Sequence, residues 1–114
     1  CLAGNRIVVR RVEIAQTALE RMKGLLGRDS LPEGHGMHLA PASCIHTFLM
    51  AFDLDLIFLD RELRVARTVW KARPWRIISG GSRAYSVLEL ASGWLSPDMV
   101  TDGTRLTLRL NPAM

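Results

Sequence analysis

The segment from Cys44 to Asp60 most constrains the fold of this chain. Most of its residues are aliphatic or aromatic, as in a buried β-strand, yet it also contains a thiol, an imidazole and three carboxylates. Polar groups inside an apolar strand cost free energy unless another group pairs with them. The segment therefore predicts either a functional site or a set of satisfied structural hydrogen bonds, within a fold built largely of strands.

Strand signals recur along the rest of the chain. β-Branched and aromatic residues alternate with polar ones in short runs that are bounded by turn residues. The polar turn Asp60-Arg61-Glu62 joins two of these runs, so we expect a hairpin there. The predicted strands are Arg6–Ile14, Met37–Ala40, Ile45–Met50, Leu54–Leu59, Leu63–Val69, Tyr85–Leu90 and Thr104–Leu110.

Two segments have helical signals. Thr17 and Glu20 have the spacing of a capping box, apolar residues follow at helical spacing, and Gly27 ends the pattern. Ser96-Pro97-Asp98 places a capping hydroxyl, a proline and an acid in the order that begins a helix. We therefore predict one N-terminal α-helix after the first strand and a short C-terminal helix.

The 114 residues fit one domain, residues 1–114, with residues 1–5 expected to be disordered. The fold class is predicted to be mainly β (a β-rich α+β chain), forming a compact antiparallel barrel or sandwich. Only two cysteines are present, Cys1 and Cys44, so a disulfide framework is not expected. Core stability must then come from apolar burial, for which 48% hydrophobic residues suffice.

The location of the protein is predicted from targeting signals. No apolar run approaches the roughly 20 residues that span a bilayer, and the first residues do not have the pattern of a signal peptide. We expect a cytoplasmic protein. Secretion or lipid attachment at Cys1 stays open as an alternative, because the chain starts at Cys1 rather than Met.

Several motifs together resemble the DUF192 family, small bacterial and archaeal domains of unknown function. The resemblance covers most of the chain and implies a mostly-β, jelly-roll-like domain without an established activity. Many members have Trp-Met-Lys-Asn-Thr where His46-Thr47-Phe48-Leu49-Met50 stands here, so this chain looks like a Cys-Ile-His-Thr subgroup. The matching pieces are Thr17 with Glu20-Arg21-Met22-Lys23-Gly24-Leu25-Leu26, Gly36-Met37, Met50 with Leu54-Asp55 and Ile57-Phe58-Leu59-Asp60, Val87-Leu88-Glu89-Leu90 with Gly93, and Asp102-Gly103.

The first hypothesis for function is a small pocket in a non-enzymatic binding or accessory domain, which would take a small ligand or a protein partner. Cys44 and His46 are two residues apart, so their side chains share one face of a strand. Asp55 would join them if the chain bends near Asp53. The predicted pocket residues are Cys44, His46, Met50, Asp55 and Met37.

A structural interpretation of the same residues competes with the pocket. Cys44 would then be a small core residue, His46 would donate to a backbone carbonyl, and Asp55 would accept from turn or loop amides. Burial statistics favour this structural interpretation.

Two chemical alternatives use the same pair. Cys44 and His46 could bind zinc or copper with ligands from His35 and His38, or His46 could activate the Cys44 thiolate in catalysis. Because only one Cys and one His are close in sequence, no cofactor is predicted, and an enzyme is not favoured.

The segment Trp70–Arg76 interleaves aromatic and basic residues in a chain of net charge +4. Lys71, Arg73 and Arg76 could contact phosphates while an aromatic ring stacks on a base. The alternative, a solvated loop whose tryptophans pack down, is favoured because no nucleic-acid fold signature accompanies the segment. Nucleic acid is therefore not the expected partner.

Overall fold

A computed structural model describes residues 2–3, 6–7, 11–15, 35–47, 52–93, 95 and 97–107 of the chain. These residues are mainly β, and no α-helix occurs among them. The predicted helix from Thr17 to Leu26 lies outside the described residues. The strands are β1 Leu2–Ala3, β2 Arg6–Ile7, β3 Arg11–Ala15, β4 His35–Leu39, β5 Cys44–His46, β6 Leu54–Leu59, β7 Val65–Ala72, β8 Ile77–Ser79, β9 Ser86–Ala91 and β10 Leu106–Thr107.

The largest sheet has five strands in the order β3-β4-β9-β6-β7. Its β6 and β7 pair antiparallel around the polar turn, which confirms the predicted hairpin. The pairs β4–β9 and β6–β9 are also antiparallel, but β3 and β4 run parallel. Parallel neighbours need a long crossover connection, and residues 16–34, which link these two strands, lie outside the described part.

Strand β6 separates two apolar cores. All six of its residues are buried, and successive side chains point to opposite faces of the sheet. Leu54, Leu56 and Phe58 belong to the first core, whereas Ile57 and Leu59 belong to the second. The first core also contains Met37, Leu39, Ala72 and Val87, and the second contains Val65, Leu88, Leu90, Leu95, Val100 and Leu106.

Two smaller sheets lie against the two faces of the large sheet. Strands β5 and β8 form a two-stranded sheet whose Ile45 and Ile78 pack on the first core. Strands β10, β1 and β2 form a three-stranded sheet that contributes Leu106 to the second core. None of these sheets closes on itself within the described residues, so the predicted barrel is wrong, and the jelly-roll arrangement is not confirmed.

Three local predictions also need correction. Leu2–Ala3 pairs with two strands, so the expectation that residues 1–5 are disordered does not hold for these two. The segment Trp70–Arg76 is not a solvated loop throughout, because it contains the end of β7, and β8 follows it directly. The short C-terminal helix is a 3₁₀ turn at Pro97–Met99 with Asp98 in its first turn.

Gly80 allows the two-stranded sheet to approach the first core. A Cβ atom at this position would overlap the ring of Phe58 and the Cβ of Ala84. Because buried overpacking forces side chains or backbone to shift, Gly80→Ala is expected to lower the free energy of unfolding by about 2 kcal/mol. Urea unfolding would measure this change. Adding Phe58→Leu should recover part of the loss, whereas strictly additive effects would contradict the proposed overlap.

Candidate ligand-binding surface

Cys44 and His46 lie on the outer face of the two-stranded sheet. Both are exposed, whereas Ile45 between them is half-buried and packs on the first core. This alternation confirms that the two side chains share a face. It also shows that Cys44 is exposed, whereas the structural interpretation placed it in the core.

The structure does not bring the other predicted pocket residues to that face. Met37 is buried in the first core, beneath Ile45. Asp55 alternates with Leu54 and Leu56, so its side chain points away from the first core and from β5. Met50 lies outside the described residues. Asp55 does not join Cys44 and His46 because β6 belongs to a different sheet from the one that contains β5.

The described residues do not gather metal ligands. No group of three His, Cys, Asp or Glu side chains among them is arranged to hold a metal ion. His38 is buried, and it lies on the face of the large sheet opposite to Met37, where burial lowers the pKa of its imidazole. Only the backbone of His35 is described.

Asp55 instead fixes the backbone at the end of β7. Between the pairs Leu54–Ala72 and Leu56–Val69, one residue of β6, Asp55, faces two residues of β7, so β7 has a bulge at this point. In the bulge Lys71 adopts a left-handed φ of 57°. The Asp55 carboxylate accepts hydrogen bonds from the Lys71 amide at 2.9 Å and from the Gly93 amide at 3.2 Å. The part of the structural interpretation that concerns Asp55, which accepts from turn or loop amides, is thus confirmed.

Thr47 fixes the loop that follows the bulge. Its side chain is only 1% exposed, and its hydroxyl donates to the carbonyl of Arg73 at 2.6 Å and accepts from the amide of Arg76 at 2.9 Å. Its backbone adds two more bonds, from the Trp75 amide and to the Arg76 carbonyl. One buried threonine therefore holds every residue from Arg73 to Arg76 except the proline.

The loop presents Trp75 to solvent. Trp75 is 59% exposed and has a left-handed φ of 65°, and Ile77 after it is 71% exposed. A positive φ costs free energy for a residue with a side chain and persists only where its surroundings hold it. Trp70, in contrast, is half-buried against the second core. The expectation that the tryptophans pack down is right for Trp70 and wrong for Trp75.

Basic residues lie close to this tryptophan in the sequence. Lys71, Arg73 and Arg76 are all exposed, and no described carboxylate lies within ion-pair distance of them, the one described pair being Arg64 with Glu62. From Leu63 to Leu88 the sequence contains six Lys or Arg residues and no Asp or Glu. We call the exposed set Lys71, Arg73, Trp75, Arg76 and Ile77 the Trp75 surface.

The two described clefts lie near the other end of β7. Both include Asp60 and Arg83. The Asp60 carboxylate accepts from the amides of Glu62 and Arg64, and the backbone bond from Arg64 is the main cause that lowers its pKa. The Arg61 guanidinium stacks 4.3 Å from the centre of the Tyr85 ring. These polar groups serve the turn itself, so the clefts do not present a convergent site.

Two features of the site were not predicted from the sequence: the role of Thr47 and the hydrogen-bond partners of Asp55. Both belong to the segment that the sequence singled out, and both are buried polar groups within it. Both residues form hydrogen bonds with the backbone of the Trp70–Arg76 segment. These bonds join residues that are 16 to 29 positions apart in the chain. A hydroxyl in an apolar run signals a buried partner, but the sequence does not reveal which one.

Comparisons with known proteins give the following matches. The model of the DUF192 family, with the description "Uncharacterized ACR", matches residues 2–108. A crystal structure of a protein of unknown function from Novosphingobium aromaticivorans is similar, with 25% identity, a TM-score of 0.74, and coverage of 82% of this chain and 71% of that one. A putative transcription regulator from Sinorhizobium meliloti is similar at 27% identity and a TM-score of 0.71, with coverage of 82% and 78%. No match was found among curated proteins.

Within the described ranges, no helix has the length and apolar character needed to cross a bilayer.

Proposed function

The chain belongs to the DUF192 family, and we propose that it is a non-enzymatic binding domain that takes an anionic ligand on the Trp75 surface. The observation that carries the proposal is the 59% exposure of Trp75 on a loop whose backbone Thr47 holds, in a segment where Lys71, Arg73 and Arg76 are also exposed. An exposed large apolar side chain costs solvation free energy, and rigid aromatic and arginine residues are typical of binding hot spots.

The anchoring of the loop supports a binding role for it. Asp55 holds the Lys71 amide and Thr47 holds the loop from Arg73 to Arg76. A loop whose conformation is fixed before binding loses less conformational entropy when the ligand arrives. Two buried polar groups on separate segments thus stabilise one exposed loop, which a purely solvated connection would not require.

Charge supports an anion as the ligand. Exposed cations that have no described carboxylate within ion-pair distance create a positive potential, which attracts anions and raises their association rate. Polymeric anions also gain from the release of their counterions. The Sinorhizobium meliloti protein of similar structure is described as a putative transcription regulator, and nucleic acid would be one such polymeric anion.

The alternatives at Cys44 have less support. The thiol and the imidazole of His46 share a face, but Asp55 lies on the other side of the large sheet and forms no triad with them. The anionic ligand therefore remains the proposal, and Cys44 and His46 border the Trp75 surface through the pairing of His46 with Ile77.

Charge reversal in the loop tests the proposal. Arg73→Glu is expected to weaken binding of inorganic polyphosphate about tenfold at 50 mM salt, because it removes one anion contact and adds a repulsive one. The triple variant with Lys71→Glu and Arg76→Glu should abolish binding. Titration of labelled polyphosphate, followed by fluorescence anisotropy at several salt concentrations, would measure both effects.

Arg105→Glu is the matched control for this experiment. Arg105 is exposed and is bridged to Arg64, beside the start of β7, whereas the loop follows the end of that strand. The control changes the net charge equally and should leave the affinity nearly unchanged. Equal losses in the two variants would show that only overall charge matters and would contradict the proposed surface.

A further inference from the structure

We propose that the anionic ligand is single-stranded nucleic acid, with one base stacked on Trp75 and the backbone phosphates against Lys71, Arg73 and Arg76. This inference rests on the proposed function and names the ligand class for the same surface.

The position of the indole favours stacking on a base. Trp75 lies between two cations in sequence, Arg73 and Arg76, and its backbone is held by Thr47 on both sides. A flat ring flanked by cations matches the alternation of bases and phosphates along a nucleic-acid strand. Stacking of a base on an aromatic side chain contributes about 1–3 kcal/mol and tolerates any base.

The adjoining strand pair extends this platform. Ile77 lies opposite His46 in β5, and in the neighbouring pair the Thr47 amide donates to the Arg76 carbonyl. His46 and Ile77 therefore form a non-hydrogen-bonded pair, whose Cα atoms lie only about 4.5 Å apart. Both side chains are exposed, so an imidazole and an aliphatic group continue the surface from Trp75, and imidazoles also stack on bases.

The geometry favours a single strand over a duplex. The bases of a duplex are stacked on each other, and its major groove is read by a helix or a two-stranded ribbon with several side chains at the base edges. The Trp75 surface offers one projecting ring on a loop instead. A single strand can present an unstacked base to that ring while its phosphates contact the cations.

Composition favours nucleic acid over an acidic protein segment. Three of the five residues of the Trp75 surface are cations, and interfaces with nucleic acid are much more positively charged than protein–protein interfaces. An acidic peptide would contact the cations but would gain less from a ring that faces solvent between them. The peptide is retained as an explicit outcome of the test.

The test compares Trp75 variants on several ligands. The ligands are a labelled 12-mer of deoxythymidine, the same length of duplex, inorganic polyphosphate and a labelled acidic peptide of alternating Glu and Leu. Trp75→Ala is expected to weaken binding of the single strand about tenfold and to leave polyphosphate binding unchanged. Trp75→Phe, which keeps a smaller ring, should weaken it less. Urea unfolding of each variant controls for loss of the fold.

Fluorescence gives a readout that a structural role of Trp75 would not produce. A stacked base quenches indole emission, so the 12-mer should quench the wild-type protein more than Trp75→Phe, and polyphosphate should quench neither. The difference between the two proteins removes the contributions of Trp70 and Trp94, which both retain.

Each other outcome overturns a defined part of the argument. Equal binding of the 12-mer and polyphosphate with no effect of Trp75→Ala would overturn the stacking inference and leave the anion-binding function standing. Preference for the duplex, or for the acidic peptide, would also overturn the inference and identify a different ligand class. Absence of binding to all four ligands at 50 mM salt would refute both the inference and the proposed function.

Discussion

Replacing Asp55 with alanine is expected to lower the free energy of unfolding by about 3 kcal/mol, since two backbone amides lose their acceptor. The carboxylate is 2% exposed, so water cannot easily replace it. The amides belong to Lys71, in the bulge of β7, and to Gly93, in the turn after β9. Urea unfolding would measure the loss, and Asp55→Asn, which keeps one acceptor oxygen, should lose less.

Asp53→Ala is the matched control for this prediction. Asp53 lies two residues away on the same segment and is half-buried. Its described hydrogen bond does not involve the side chain, because its backbone carbonyl accepts from the Ser92 amide. The control should therefore change stability by only a few tenths of a kcal/mol, as about ±0.5 kcal/mol is usual for substitutions without a specific contact. Equal stability of the Asp55→Ala variant and the wild type would contradict the role of this carboxylate.

Hydrogen exchange separates the role of Asp55 in the loop from its effect on global stability. Loss of the acceptor should increase exchange at the Lys71 and Gly93 amides under native conditions more than at the amides of β9. The same variant should weaken anion binding by the proposed function, because Lys71 would no longer be held in place. Uniform acceleration of all amides would indicate global destabilisation alone.

Local sequence patterns predict the hairpin of β6 and β7 well. The alternation of apolar residues and the polar turn at Asp60 are encoded within about twenty residues, and both partners are adjacent in the chain. The turn is further specified by Asp60 itself, whose carboxylate accepts from the amides of Glu62 and Arg64. Such short-range signals need no knowledge of the remaining chain.

Strand β8 could not be predicted because the strand with which it pairs is distant in the sequence. Ile77–Ser79 has only three residues, too few for a periodic signal, and it pairs with β5 more than thirty positions earlier. The preceding residues are basic and rich in turn formers, so the sequence indicates a loop. Pairing with β5 and the packing of Ile78 on the first core override that local preference.

In the candidate site, odd and even positions (the parity of a residue) predict which side chains share a face only within a single strand. Parity correctly placed Cys44 and His46 on one face, because both lie in one strand. It could not place Asp55, since β5 and β6 belong to different sheets. The Cys44–Asp60 and Trp70–Arg76 segments, which the sequence presents as two unrelated features, are therefore connected. Thr47 and Asp55 of the first segment form hydrogen bonds with the backbone of the second, which exposes Trp75.

Glu89 provides the second large expected effect, a loss of stability as the pH rises. It lies in β9, between Met37 of β4 and Leu56 of β6, and it is 6% exposed. Among the described residues no group donates a hydrogen bond to its carboxylate. Burial raises the pKa of Glu89 from 4.5 to about 7.

The sign of the effect follows from where the proton is held. Between pH 4.5 and about 7 the unfolded chain has lost this proton while the folded protein retains it, so the free energy of unfolding falls as the pH rises. The difference between the two pKa values corresponds to about 3 kcal/mol. The loss is complete above pH 7, where both states are ionised and the folded state holds a buried charge.

Glu89→Gln isolates this contribution, because it removes the ionisation and keeps the shape of the side chain. At pH 5 the variant and the wild type should unfold at similar urea concentrations, and at pH 8.5 the variant should be more stable by about 3 kcal/mol. His38, whose pKa is lowered by burial, destabilises both proteins equally at low pH, so it cancels in the difference. Glu62→Gln, at an exposed carboxylate, should show no such divergence. A stability difference between Glu89→Gln and the wild type that stays constant from pH 5 to 8.5 would refute the raised pKa and imply that a cation compensates the buried carboxylate.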